Sequence, residues 1–157
     1  MGMTKSKPDF HGINLNSLRQ SAEHLSAHIL ATPTIFAPSL SKLLGASVHL
    51  KLENLQYTSS FKSRGAFLAL KALKDEDKKV GVISMSAGNH AQALAFRSQQ
   101  ENIKSTIIMP EQTPFTKISK TKAYGAEVVL TGKTLDEAKK TVDQLIDTHG
   151  YRLIHPY

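Results

Sequence analysis

The sequence predicts an α/β fold, a small parallel sheet of about four strands with helices on its faces, preceded by an N-terminal helical segment. Three observations support this prediction. Short apolar runs alternate with segments of helical composition along the second half of the chain. The expected helices carry capping signals at their starts and glycines just past their ends. The intervening segments are also long enough for the right-handed crossovers that join parallel strands.

The predicted elements of the sheet follow one another in a regular order. The strands are Val80–Ile83, Thr106–Met109, Ala126–Leu130 and Arg152–Ile154, and the helices between them are Asn89–Gln100, Pro114–Tyr124 and Thr134–Thr148. Pro114 suits the first turn of its helix, and Thr134 with Glu137 has the spacing of a capping box. Gly125 and Gly150 follow helix ends, where a left-handed residue is common. The order of the strands does not follow from this alternation.

The chain before the sheet has a different pattern. Residues 1–13 are expected to form a mobile leader. Apolar residues at three- and four-residue spacing predict a helix over 14–29 that asparagine can cap. A short helix is predicted at Pro38–Leu44, with Gly45 as its stop, and alternation over 48–52 predicts a half-buried strand. Three further segments precede the sheet: a polar loop over 54–60, a helix over 61–73 and a charged turn over 74–79.

Composition limits the functions that the chain can have. Its 157 residues are 40% hydrophobic and 21% charged, which is typical of a globular domain with its own core. It has no cysteine, and its seven histidines are dispersed, so no metal site is expected. No apolar run is long enough to span a membrane, which favours a cytoplasmic location. The net charge of +7 is scattered, which argues against a nucleic-acid partner.

The first candidate site is the stretch Ser84–Ala93, which reads S-M-S-A-G-N-H-A-Q-A and joins a predicted strand to a predicted helix. The first N–H groups of a helix lack intrahelical acceptors, and with the helix dipole they form an anion site. Gly88 allows a ligand close to the backbone, Asn89 offers a side-chain donor and acceptor, and Ser86 can cap the helix or contact the ligand. Two alternatives stay open: a carboxylate or phosphate site, and a capped turn without a ligand.

The second candidate site is Lys62, within T-S-S-F-K-S-R-G-A. A lysine at a helix N-terminus meets the positive end of the dipole, Arg64 adds another cation, and burial beneath Phe61 would act in the same direction. These effects favour the neutral amine that a lysine nucleophile needs. The alternative is an ordinary surface lysine in a lysine-rich chain. Because parallel strands end at one edge, we expect Lys62 and Asn89 on the same rim of the sheet.

Both sites lie in segments that resemble a known family. The run K-L-E-N-L-Q-Y-T-S-S-F-K-S-R-G-A, residues 51–66, is similar to the cofactor-lysine segment of threonine dehydratases and serine racemases, fold-type II enzymes that use pyridoxal phosphate. The loop S-A-G-N-H-A-Q, residues 86–92, resembles their substrate loop. Later matches, such as I-H-P at residues 154–156, extend the resemblance from about Leu25 to the end of the chain.

The resemblance implies a role for each matched residue. Lys62 would form the aldimine with pyridoxal phosphate and later move the Cα proton, and Phe61 would pack beside the pyridine ring. Asn89 would hydrogen-bond the phenolic oxygen of the ring. The substrate carboxylate would be held, partly by backbone N–H groups, at Ser86, Ala87, Gly88, Asn89 and His90. Family racemases carry a proton-transferring serine where this chain has Ala87, so the resemblance favours elimination over racemisation.

The resemblance also divides the chain. Residues 1–55 would be an opening segment of a large domain whose body is missing, and residues 56–157 would be the small α/β domain. The glycine-rich loop with which the family cups the cofactor phosphate has no counterpart in the sequence. We therefore expect a truncated part of an enzyme, with little or no activity of its own.

The predicted function is a part of a pyridoxal-phosphate-dependent threonine ammonia-lyase, which converts L-threonine into 2-oxobutanoate and ammonia by β-elimination, with serine as a possible second substrate. We expect a homo-oligomer in amino-acid metabolism, with isoleucine biosynthesis as its setting, although the residues do not separate a biosynthetic from a catabolic enzyme. The alternatives are a serine/threonine dehydratase or racemase of the same family, and a non-catalytic truncated module that self-associates.

Overall fold

Two sheets organise the protein, which is represented by a computed structural model that describes residues 14–156. One sheet has two antiparallel strands and the other has four parallel strands. The leader predicted over residues 1–13 lies outside the described residues. No helix within residues 14–156 is both long enough and apolar enough to cross a membrane.

The first part of the chain forms four short elements: α1 (Leu15–Leu25), β1 (Thr34–Phe36), α2 (Pro38–Leu44) and β2 (His49–Lys51). The Asn14 side chain caps α1 by accepting from the Ser17 N–H at 3.0 Å, as predicted, but the helix ends at Leu25 rather than at residue 29. Gly45 ends α2 in the left-handed conformation, at φ 62°.

The small antiparallel sheet differs from the sequence prediction in two ways. Strand β1 was not predicted, because a run of only three residues beside Pro33 carries no periodic signal. It pairs with β2 in the register Ile35↔Leu50. All three residues of β2 are exposed, whereas Val48 and Leu52, which flank the strand, are half-buried. The half-burial that was predicted over 48–52 is therefore found at the two ends of that segment and not within the strand itself.

The rest of the chain alternates between helices and strands. The polar loop forms a 3₁₀ turn, Glu53–Leu55, and a second tight turn, Tyr57–Ser59, in which Thr58 is not helical. They are followed by α3 (Lys62–Lys71), α4 (Asp75–Val80), β3 (Val82–Met85), α5 (Asn89–Gln100), β4 (Ser105–Met109), α6 (Phe115–Ala123), β5 (Glu127–Leu130), α7 (Leu135–His149) and β6 (Arg152–Leu153). Helices α5, α6 and α7 and strands β4 to β6 lie within two residues of their predicted bounds.

The prediction of a charged turn over residues 74–79 is wrong, because this segment forms α4. Its sequence, D-E-D-K-K-V, places three acidic residues in the first turn and two lysines in the last. Both groups of charges complement the helix dipole and stabilise a helix of only six residues. Strand β3 consequently begins at Val82 rather than at Val80.

The four-stranded sheet has the order β5-β4-β3-β6, and every neighbouring pair is parallel. Residue Val82 stands opposite Ser105 on one side and Arg152 on the other. Two apolar clusters cover the two faces. One includes Leu70 and Leu94 from α3 and α5, and the other includes Val142 from α7. This arrangement confirms the predicted fold class.

Candidate active site

The carboxyl edge of the parallel sheet opens into a cavity of about 690 Å³. Strand β3 runs into it through residues 86–88, and α5 starts there at Asn89. Helix α3 starts at Lys62, which also lines this cavity. The predicted site residues that line it are Lys62, Ser86, Ala87, Gly88, Asn89 and His90. The two candidate sites therefore face one space, as the parallel topology predicted.

Lys62 is held by the opposite end of the chain. Its Nζ donates a hydrogen bond to the Pro156 carbonyl at 2.5 Å, just beyond the last strand of the sheet. The ring centroid of Phe61 lies 5.4 Å from Nζ, but Phe61 is 59% exposed and lines a smaller cavity of about 340 Å³. Lys62 lines this smaller cavity as well and is half-buried, so the contribution of Phe61 to its burial stays a prediction. His155 and Pro156 line both of the cavities that Lys62 lines.

Arg64, the second cation expected beside Lys62, forms an ion pair with Glu53. Arg64 donates two hydrogen bonds to Glu53, from Nε to Oε2 at 2.8 Å and from Nη2 to Oε1 at 2.7 Å. This pairing is the main reason that the pKa of Glu53 falls to about 2, and it raises the pKa of Arg64. Arg64 is therefore bound to the opening segment instead of acting as an isolated charge next to Lys62.

The loop between β3 and α5 is shaped by its backbone. The Ser86 N–H donates to the Ile108 carbonyl at 3.1 Å, and the Gly88 N–H donates to Ser86 Oγ at 3.3 Å. Gly88 occupies the N-cap position, and α5 has no side-chain cap. A Cβ built on Gly88 meets no atom within 4 Å, so the loop faces open space. The uncapped first turn of α5 fits the anion-site alternative better than the capped-turn alternative.

The His90 side chain faces the end of β6. It is 6% exposed, and its Nε2 lies 3.4 Å from the Ile154 carbonyl, which also accepts a hydrogen bond from Ser84 Oγ at 2.7 Å. Burial lowers the pKa of His90, and the nearby charges of Lys62 and His155 act in the same direction, against the opposing effect of the contact with the Ile154 carbonyl, so the neutral imidazole is favoured. The backbone N–H of His90, in the first turn of α5, remains the group suited to a carboxylate.

The turn that precedes Lys62 is strained. Thr58 and Ser59 have φ values of 60° and 55°, in the left-handed region. A β-branched residue there is an outlier, and such positions cost on the order of 1–3 kcal/mol. Within the described residues, the buried hydroxyls of Thr58 and Ser60 have no hydrogen-bond partner. Strain and unsatisfied polar groups of this kind concentrate at functional sites, and here they lie within four residues of Lys62.

Two backbone groups of the site were not predicted from the sequence. The carbonyls of Ile154 and Pro156 act through their backbone, which no residue type encodes. Two features indicated this segment: its position after the last strand, since ligands bind outside the carboxyl ends of parallel strands, and the match of I-H-P to the family. Lys117, Lys139 and Asp143 complete the outer part of the cavity from α6 and α7.

The fold and the site together define a class of protein. A parallel α/β sheet presents a lysine amine and an uncapped helix N-terminus over one cavity at its carboxyl edge. Such a site is suited to a small anionic ligand that reacts with an amine. A family model described as pyridoxal-phosphate dependent enzyme matches residues 25–157. The chain belongs to this family, whose cofactor is pyridoxal phosphate.

Individual relatives agree with this assignment. A curated protein of Staphylococcus aureus strain N315, named as a catabolic L-threonine dehydratase, is 40% identical over 148 residues, which cover 94% of this chain and 43% of that protein. The chain thus spans less than half the length of the curated relatives that it matches.

Solved structures share the fold. A serine racemase from Dictyostelium discoideum gives a TM-score of 0.85 at 34% identity, covering 92% of this chain and 47% of that one. The processed form of threonine deaminase isoform 2 from Solanum lycopersicum gives a TM-score of 0.80 at 37% identity, covering 96% of this chain and 42% of that one. These findings confirm the family and the cofactor that the two motifs implied.

Proposed function

We propose that this chain is part of a pyridoxal-phosphate-dependent threonine ammonia-lyase, which converts L-threonine into 2-oxobutanoate and ammonia. The observation that carries the proposal is the shared cavity of Lys62 and the loop of residues 86–90. Relatives named threonine dehydratase and threonine deaminase support the choice of substrate. Serine is the expected second substrate, because it has the same β-hydroxyl.

The residues present fit the aldehyde part of the cofactor. Lys62 offers the amine that bonds an aldehyde, and Asn89 at the start of α5 offers a donor for the phenolic oxygen. The open space beside Gly88 leaves room for a ligand against the backbone. Pyridoxal phosphate, when bound, supplies the electron sink for the pair left as Cα loses its proton.

The chain's own residues then have separate tasks. The first-turn N–H groups of α5, together with Ser86, bind the substrate carboxylate and restrict the orientation of Cα. Lys62 Nζ accepts the Cα proton and passes a proton on to the β-hydroxyl, which leaves as water. The released unsaturated amine takes up water and yields 2-oxobutanoate and ammonia, so the net reaction consumes only threonine. His90 keeps its neutral imidazole on the Ile154 carbonyl, where it supports the edge of the site.

Racemisation is the second candidate, since a serine racemase is among the structures with the same fold. Ala87 lines the cavity with a methyl group, which cannot carry a proton. The resemblance assigns a proton-transferring serine to this position in racemases. Elimination is therefore the favoured reaction.

We also propose that residues 1–55 belong to a larger domain and that residues 56–157 form the small domain. Within 14–55 only Leu25 and Thr32 are buried, whereas both core clusters lie between Leu70 and Ile154. The sequence holds no glycine-rich phosphate loop. Since each charge-assisted hydrogen bond is worth roughly 1.5–3 kcal/mol, weak cofactor binding and little activity are expected of this chain alone.

The setting of the enzyme remains a prediction. A cytoplasmic location is proposed because the sequence contains no cysteine. A homo-oligomer is proposed as well, as a separate prediction. Isoleucine biosynthesis was the expected setting, but the similar Staphylococcus aureus proteins are named as catabolic enzymes. A non-catalytic, self-associating module is the alternative function, and the exposed leucines of α2 favour it: Leu43 is 79% exposed.

Reaction of the chain with pyridoxal phosphate tests the proposal. After borohydride reduction, peptide mass spectrometry should find the cofactor on Lys62. The Lys62→Ala variant should lose the adduct and the visible absorption band of the bound cofactor, because the proposal assigns the aldehyde to this amine. Lys117→Ala is the matched control, since Lys117 lines the same cavity, and this variant should keep the adduct on Lys62.

Two results would contradict the proposal. One is a folded chain that forms no adduct at any cofactor concentration, which would favour the non-catalytic module. The other is equal labelling of the wild type and Lys62→Ala, which would indicate non-specific reaction with surface lysines.

A further inference from the structure

Arg97, in the second half of α5, is a buried cation that the site described above does not use. Its side chain is 4% exposed, and no carboxylate of the described residues forms an ion pair with it. Burial lowers the pKa of its guanidinium, with opposing contributions from Tyr57 and Glu101. Burying a charge in this way is unfavourable unless the surrounding groups satisfy it. The groups that contact the Arg97 side chain therefore indicate its structural role.

The guanidinium contacts three aromatic rings. Its Cζ lies 5.2 Å from the ring centroid of Tyr57, 5.7 Å from that of Phe67 and 5.1 Å from that of Phe96. Tyr57 and Phe96 are themselves stacked, with centroids 5.3 Å apart. Cation–π contacts of a desolvated guanidinium are among the stronger ones. Arg97 thus fixes Tyr57, which starts the strained turn that leads to Lys62.

Arg97 also donates two hydrogen bonds from its fork. Nε donates to Ser63 Oγ at 2.9 Å, and Nη2 donates to the His28 carbonyl at 2.6 Å. Ser63 is fully buried and directly follows Lys62 in α3. One side chain therefore holds the chain on both sides of Lys62, five residues before it and one residue after it, and ties both to the opening segment.

The strained turn makes such an anchor necessary. Thr58 and Ser59 keep left-handed φ values between Tyr57 and Lys62. Strained conformations of this kind persist only where surrounding contacts hold them. The Ser59 N–H donates to the Gln56 carbonyl at 2.8 Å, and the Arg64 N–H donates to the Phe61 carbonyl at 3.1 Å. These two amides report directly on the turn and on the first turn of α3.

We propose that Arg97 is a positioning residue that holds Tyr57 and Ser63 on either side of Lys62 and thereby fixes the ε-amine at the edge of the sheet. The proposal rests on the proposed function of Lys62 as the cofactor lysine. It adds a buried group on α5, outside the residues that line the cavity, on which the reactivity of that lysine depends. Arg97 lines neither cavity, so it acts on Lys62 through the segments that it holds.

Hydrogen exchange and cofactor labelling test the proposal on the 157-residue chain. In Arg97→Ala, the Ser59 and Arg64 amides should exchange about tenfold faster, while the β4 amides stay at their wild-type rate, because only the local opening changes. The rate of borohydride-trapped labelling of Lys62 by pyridoxal phosphate should fall about tenfold, because only the fraction of molecules that hold Lys62 in its reactive position is labelled. Arg19→Ala, an exposed arginine on α1, should change neither rate.

Two further variants separate positioning from bulk stability. Arg97→Lys keeps a cation among the rings but cannot make both hydrogen bonds of the guanidinium group. Its exchange rates and its labelling rate should therefore lie between those of the wild type and those of Arg97→Ala. Ser63→Ala removes only the hydroxyl that accepts from Nε, and it should reproduce part of the change at Arg64 and part of the loss of labelling. If Arg97→Ala does not fold, Ser63→Ala and Arg97→Lys decide the question.

The outcomes are distinct. Faster exchange in β4 as well as at Ser59 and Arg64 would overturn the proposal, because Arg97 would then only stabilise the whole fold. Unchanged labelling of Lys62 in Arg97→Ala, with the wild type labelled, would also overturn it. If the wild type itself forms no adduct, the proposed function fails. The exchange rates then still show whether Arg97 holds the segment around Lys62.

Discussion

Glu53 and Arg64 form the shortest ion pair of the described residues. Two parallel hydrogen bonds join them, and their side chains are 17% and 29% exposed. Thr32 donates a further hydrogen bond to Glu53 Oε1 at 2.6 Å. Bidentate pairs of this kind are stronger than single contacts between exposed ions. Since Glu53 lies in the opening segment and Arg64 in α3, the pair joins the two parts of the chain.

Replacing Glu53 by Gln should therefore destabilise the chain and flatten its acid response. At pH 7 we expect the free energy of unfolding to fall by about 1–2 kcal/mol, as for other charge-assisted hydrogen bonds. The folded pKa of Glu53 is about 2, below its ordinary value of 4.5. Its stabilisation is thus complete above pH 4.5 and is lost as the pH falls towards 2, because the unfolded chain takes up the proton first.

Urea unfolding at several pH values measures this effect. Glu76→Gln is the matched control, because Glu76 pairs with Lys74 at 3.6 Å and both side chains are more than three-quarters exposed. We expect a change below about 0.5 kcal/mol there. Equal losses in the two variants, or a wild type as insensitive to acid as Glu53→Gln, would contradict the assignment.

Single residues also show what the sequence can reveal about the site. Lys62 and the loop at 86–90 could be predicted to share one edge, because strand direction places them there whatever the strand order. The partner of Lys62 could not be predicted, since the Pro156 carbonyl lies 94 residues away and is a backbone group. The effect of Arg64 was misjudged because its partner, Glu53, comes from a 3₁₀ turn that the sequence did not predict.

At the scale of elements, the buried strands and the helices with capping signals were predicted from the sequence, whereas the short elements β1 and α4 were not. Helices cover both faces of the sheet at β3 and β4, so both strands are buried and their sequences are largely apolar. This apolar pattern could be recognised in the sequence. β1 and α4 depend on one pairing and on a few charges, which leave no periodic pattern. The strand order β5-β4-β3-β6 depends on tertiary packing, so alternation alone does not encode it.

The junction of α4 and β3 depends on a glycine. Gly81 has φ 106° and ψ 175°, a region open almost only to glycine, and a Cβ there would lie 2.8 Å from the Lys104 carbonyl oxygen. Gly81→Ala should thus lower the free energy of unfolding by about 2–4 kcal/mol, because strain and the clash add. The loss is measurable by urea unfolding at neutral pH.

Gly45→Ala separates the two contributions. Gly45 also has a positive φ, 62°, but a Cβ there meets no atom within 4 Å. Only the left-handed strain remains, so a loss of about 1 kcal/mol is expected. If the two substitutions destabilise the chain equally, the close approach of Lys104 to Gly81 has no energetic role.

At the scale of the whole molecule, burial is distributed unevenly. Both apolar clusters lie between Leu70 and Ile154, and the four-stranded sheet separates them. The opening segment, in contrast, exposes many large apolar side chains: Leu15, Leu18, Leu30, Ile35, Phe36, Leu43, Leu44, Leu50 and Leu55. Exposed apolar surface of this extent marks an interface. It supports the proposal that residues 1–55 belong to a larger domain.

The same surface should make this chain associate with itself. Leu43 and Leu44 at the end of α2 are 79% and 61% exposed. Burying a leucine side chain fully is worth about 1.5–3 kcal/mol, so changing both to Gln should weaken self-association at least about tenfold. Sedimentation velocity over a range of concentrations measures this change, and the melting temperature should stay at the wild-type value because neither residue packs in a core.

Phe115→Gln distinguishes association through the opening segment from non-specific association of exposed apolar residues. Phe115 is also 79% exposed, but it lies on α6, outside the opening segment. If self-association depends on the opening segment, this variant should associate like the wild type, whereas the Leu43→Gln, Leu44→Gln variant should stay monomeric over the same concentrations. An equal effect of both changes would mean that any exposed apolar residue drives association. A wild type that is monomeric throughout would remove the support for an interface on residues 14–55.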